Sequence, residues 1–161
     1  METSSLRVES NVRTVFSPLY DERYELPLLA SRIPAGFPSP AEGYAEESLD
    51  LNRYLIRHPV ATFFVRVQGD SMTGAHIFDG DLLVVDRAEE VRGGHVVLAQ
   101  IGGEMVVKRL RRIDDRLWLS PENPAFPDFP INEDGETVIW GRVMHSVTHH
   151  CVMNLRTRPV R

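Results

Sequence analysis

From about residue 61 onward the chain is written in short β-branched and aromatic runs separated by Gly and Pro, and this pattern permits little except a sheet. "ATFFVRVQG", "GDLLVVDR", "GHVVLAQ", "MVVKRL", "RLWLSP" and "TVIWGRVMHSVT" are each too short for a core helix. Gly102-Gly103 between two of them is a two-residue hairpin turn. "PENPAFPDFPI" is a proline-rich loop. The expected fold class is therefore mostly β, built of antiparallel strands with a short helix. That helix falls on "DLNRYLIRHP", with Asp50 as cap, Leu51, Tyr54 and Leu55 on one face, and Pro59 as the stop. "SPAEGY" offers a weaker start at Ser39, undermined by Gly43.

Residues 1–38 have another texture. Pro18, Pro27, Pro34 and Pro38 interrupt any long helix, and the apolar residues follow no period. The expectation is an extended arm, docked on the body through Leu26, Leu28, Leu29 and Ile33, followed by one β-rich domain over 39–161.

The net charge of −5 counts against a sequence-independent DNA binder, which carries a basic footprint. A single cysteine, Cys151, excludes an internal disulfide framework. With neither an apolar run of transmembrane length nor a signal-peptide core, the expected location is the cytoplasm. His145, His149, His150 and Cys151 lie on alternating sides of a strand without a CxxC, so no metal site and no cofactor are expected. Asp79, Asp81 and Asp86 lack cation-loop spacing and are expected to shape turns.

One feature of the basic residues is chemical. Of 18 Lys and Arg residues, only Lys108 is lysine. Arginine stays protonated in proteins, whereas a buried ammonium can lose its proton near neutral pH. In the strand around it, Val106, Lys108 and Leu110 share one side, while Met105, Val107 and Arg109 share the other. Lys108 thus has apolar neighbours on its own face, and desolvation suits it to act as a general base. A serine is its natural partner. "VRVQGDSMTG" supplies Ser71 on a tight turn after a strand, where the N–H groups of Asp70 and Ser71 form a concavity for an oxyanion. Alone, this serine reads as an ordinary turn residue.

Taken together, "GDSM", "DGDLLVVD", "GEMVVKRL" and "LSPENPAF" resemble the LexA/UmuD self-cleaving peptidases (family S24) over about residues 36–150. The resemblance implies Ser71 as nucleophile and Lys108 as general base, 37 residues apart, and a twisted antiparallel β-fold. It implies self-cleavage before a glycine, which "PAGFPSP" supplies at Ala35-Gly36, 35 residues before Ser71. The arm leaves no room for a DNA-reading helix pair, and "AGFPSPAEGY" with "LDLNRYLIRHP" resembles the UmuD branch. That branch implies an accessory subunit of an error-prone translesion polymerase. Its partners would be a second copy in a homodimer, a RecA filament on single-stranded DNA that promotes cleavage, and a UmuC-type Y-family polymerase. Val15–Tyr20, "VFSPLY", resembles a segment that touches the sliding clamp, though a surface strand or docking patch is the preferred reading. The alternative from another class is a non-enzymatic dimeric regulator of the phage-antirepressor kind, against which the intact Ser71 and Lys108 count. A signal-peptidase relative would need a membrane anchor.

Overall fold

The computed structural model describes residues 11–16, 25–29, 35, 46–132 and 135–150. Each expected run of β-branched residues forms a strand. These are β4 (Thr62–Val67), β5 (Leu82–Asp86), β6 (Val96–Ile101), β7 (Glu104–Ile113), β8 (Arg116–Ser120) and β10 (Thr137–Val147). Four further strands are β1 (Val12–Phe16), β2 (Glu25–Leu29), β3 (Glu46–Asp50) and the two-residue β9 (Phe129–Pro130), and of these only β1 is itself rich in β-branched and aromatic residues. The main sheet runs β1-β4-β5-β10-β6-β7-β8-β9, and every pairing in it is antiparallel.

The β6–β7 hairpin turns on Gly102 (φ 55°) and Gly103 (φ 89°), both left-handed, as a two-residue turn of this hand requires. Strand alternation splits the interior into two cores. Leu98 and Val107 join Phe63, Val65, Met72, Leu83 and Val85 in one. Val97, Ala99, Val106 and Leu110 join Leu119 and Phe129 in the other. The middle of β7 is therefore buried on both faces, and any polar side chain there is kept from water.

The arm departs from expectation in how it docks. Leu26 and Leu28 are exposed rather than resting on the body, and β2 pairs with β3 in a separate two-stranded ribbon. It is β1 that joins the main sheet, pairing with β4 from Val12↔Val67 to Phe16↔Phe64. The helix α1 (Leu51–Leu55) is capped by Asp50, whose carboxylate accepts from the Arg53 N–H at 3.2 Å. It is only five residues long, and Leu51 and Tyr54 on its expected apolar face are exposed. Ile33, Ser39, Gly43 and Cys151 lie outside the described residues. Among the described residues no helix is long and apolar enough to cross a membrane.

Candidate active site

The turn after β4 is fixed from three directions. Asp79 accepts from the Gly69 N–H at 2.8 Å, and Asp81 accepts from the Phe78 N–H at 2.9 Å. Asp86 does the same for the Ala88 N–H at 2.8 Å, so all three aspartates shape turns. From the opposite side comes the loop after β8. Glu122 N–H donates to the Ser71 carbonyl at 2.9 Å, Gly74 N–H donates to the Glu122 carbonyl at 2.7 Å, and Asn123 Nδ2 donates to the Asp70 carbonyl at 3.0 Å. The approach is so close that a Cβ at Gly74 would lie 2.5 Å from the Glu122 carbonyl oxygen, so only glycine fits. Glu122 itself is gripped by Arg111 and Arg109, and these guanidinium groups hold its carboxyl below the usual carboxylate range. Arg109 and Arg111 are thus part of the loop's anchorage.

Ser71 and Lys108 meet. Lys108 Nζ donates to Ser71 Oγ at 3.0 Å and to the Val107 carbonyl at 3.2 Å. Both side chains are buried, Ser71 at 6% and Lys108 at 4% exposure. The turn therefore encloses the hydroxyl instead of displaying it. Among the described residues Lys108 has no carboxylate partner at Nζ, and burial pushes its pKa down from 10.5 to about 8. A neutral amine within hydrogen-bond reach of a hydroxyl can take its proton and leave an alkoxide in a water-poor site. The cleft above the pair has a volume of about 360 Å³ and is walled by Gln68, Val106, Phe126, Pro127 and Phe129. Asn11, Asp70, Ser71 and Lys108 line it too, and this mix of apolar wall and polar groups suits an extended peptide.

Asn11 was not legible as a site residue, since a lone Asn in an arm carries no spacing signal. It is buried, and its Nδ2 lies 3.3 Å from Ser71 Oγ. Ala35 is an exposed bend, and Gly36 lies outside the described residues. The histidines at the end of β10 do not form a cluster with one another: His145 stacks near Tyr54, with ring centroids 6.2 Å apart. Another group, His58, Asp86 and Glu89, does converge, but Arg57 and Arg142 already answer Glu89 and His58 bonds Asp86 at 2.7 Å.

The Peptidase S24-like family model matches residues 27–144. Protein MucA of Salmonella typhimurium is 48% identical over 130 residues, covering 80% of this chain and 88% of MucA. Protein SamA of the same species is 55% identical over 101 residues, covering 63% of this chain and 71% of SamA. The LexA repressor of Pseudomonas chlororaphis is 44% identical over 117 residues, covering 72% of this chain and 57% of the repressor. The chain belongs to the Peptidase S24-like family, the self-cleaving serine peptidases that include LexA and UmuD.

Proposed function

We propose that this UmuD-like chain cuts its own arm between Ala35 and Gly36, with Ser71 as nucleophile and Lys108 as general base, and that the cut form serves error-prone translesion synthesis. The observation that carries the reading is the 3.0 Å contact between a desolvated lysine and a buried serine hydroxyl. In the base form Lys108 takes the Ser71 proton, and Oγ attacks the Ala35 carbonyl. The N–H groups of Asp70 and Ser71 serve as oxyanion donors, on a turn whose carbonyls are already tied to Asn123 and Glu122. Lys108, now protonated, gives its proton to the Gly36 amine as the peptide bond breaks. Water then hydrolyses the acyl-enzyme, and residues 36–161 remain. The cut would release residues 1–35, three residues short of the boundary between the arm (1–38) and the peptidase and dimerisation domain (39–161).

The partners are those of the UmuD branch: a second copy of the chain, a RecA filament on single-stranded DNA, a UmuC-type Y-family polymerase and the sliding clamp, in the cytoplasm. The test is incubation of the pure protein at alkaline pH, and separately with an activated RecA filament, followed by intact-mass measurement. A new fragment beginning at Gly36, absent from Ser71→Ala, is expected. A fragment with any other N-terminus refutes the cut site.

A further inference from the structure

Asn11 makes a two-point contact of an unusual kind. Its Oδ1 accepts from the Val107 N–H at 2.6 Å, and its Nδ2 donates to the Val107 carbonyl at 3.1 Å. The N–H and C=O of one strand residue point the same way, so one primary amide, with a donor and an acceptor, satisfies both. The carboxamide thereby does what the backbone of a neighbouring strand would do. At Val107, β7 has β6 on one side, through Leu98↔Val107, while β8 pairs with β7 only from Arg109 onward. Asn11 occupies the other side.

That side is also where a substrate must lie. Lys108 Nζ bridges Ser71 Oγ and the same Val107 carbonyl, so the hydroxyl, the amine and this strand edge form one hydrogen-bonded cluster. An extended peptide that brings its carbonyl to Ser71 Oγ runs along the edge and takes up its hydrogen bonds by strand addition. Asn11 is held there firmly: its own carbonyl accepts from the Gln68 N–H at 2.7 Å, and β1 continues the attachment along β4. Ala35, meanwhile, sits in an exposed bend.

We propose that Asn11 is a built-in competitor, a side-chain amide that imitates a substrate strand at Val107 and keeps the scissile segment out of the cleft until β1 is displaced. The proposal rests on the reading that the segment around Ala35 is the substrate. Cleavage then runs only through the fraction of molecules with the edge vacant, and the observed rate is reduced by that fraction.

Two measurements test it. Self-cleavage at alkaline pH is followed by intact mass for the wild type, Asn11→Ala and Asn11→Asp. Amide exchange at Val107 is followed for the same residue-11 changes in a Ser71→Ala background, which keeps the chain whole. Asn11→Ala should raise the yield of the Gly36 fragment by about tenfold and speed Val107 exchange to a similar degree, two buried hydrogen bonds to Val107 being lost along with the one to Ser71 Oγ. Asn11→Asp keeps the acceptor but sets a carboxylate against the Val107 carbonyl, so it too should cut faster, with a smaller change in exchange. Unchanged Val107 exchange in both variants overturns the contact. Faster exchange with equal or slower production of the Gly36 fragment overturns the competition and makes Asn11 a positioning residue for Ser71. If no chain, wild type included, produces a fragment beginning at Gly36, the cut-site reading itself falls.

Discussion

Lys108 is placed where a charge is disfavoured, and both its reactivity and its effect on stability follow. With a pKa of about 8, about a tenth of the amine is unprotonated at pH 7. Self-cleavage should rise about tenfold per pH unit up to about pH 8 and level off above it, as measured by fragment yield. Lys108→Arg should abolish cutting across this range, because a guanidinium does not give up its proton. The stability effect has a definite sign. Between about pH 8 and 10.5 the unfolded chain holds a proton at this site and the folded chain does not, so stability rises with pH across that window. Below about pH 8 the penalty is complete, on the order of 3 kcal/mol at most, since each pKa unit corresponds to about 1.4 kcal/mol. Lys108→Met in a Ser71→Ala background should therefore be the more stable chain at pH 7, and the advantage should close by about pH 10.5, as read from urea midpoints. Ser71→Ala alone should fold and not cut, at a cost of about 1 kcal/mol for the buried hydrogen bond it removes.

At the scale of elements, the turn that carries Ser71 is held by the loop after β8. Gly74→Ala forces a Cβ against the Glu122 carbonyl, a backbone atom that cannot swing aside. We expect a loss of about 1–3 kcal/mol and a fall in cleavage of more than tenfold, because the same clamp holds Ser71. Glu122→Ala removes only the carboxylate that Arg109 and Arg111 grip, and leaves the backbone bonds to Ser71 and Gly74 available. Its stability cost should stay near 1 kcal/mol and its rate should lie between those of the wild type and Gly74→Ala. Urea titration and fragment yield on the two variants check this order.

At the scale of the whole molecule, cutting before Gly36 separates β1 from the body covalently while leaving β4 to β10 in one piece. Those strands hold the fully buried Val65, Leu83, Val85, Leu98 and Val107. Amides of β6 and of β7 that bond within the sheet should stay protected after cleavage, and those of β4 that face β1 should exchange faster. Hydrogen exchange before and after cutting measures both. Persistent protection of β4 would mean that the fragment remains docked.

Much of this was legible before any coordinates. Period-two alternation around Lys108 set it on a face with Val106 and Leu110, and that face is core. β-branched runs and Gly-Pro punctuation located six strands, because those strands are buried and their composition says so. The family motifs marked Ser71 and Lys108 as partners, and folding brings them to 3.0 Å. What the sequence did not disclose depends on contacts between distant segments. β2 and β3 carry little strand signal, since their pairing with each other, rather than their own composition, makes them strands. The turn that carries Ser71 is held by Glu122 and Asn123, 51 and 52 residues further on from Ser71. Asn11 reaches Val107 across 96 residues of chain, and a one-dimensional pattern holds no record of that meeting. Local alternation dictates which way a side chain faces; only tertiary packing decides what it meets there, because burial and pairing are properties of two segments at once.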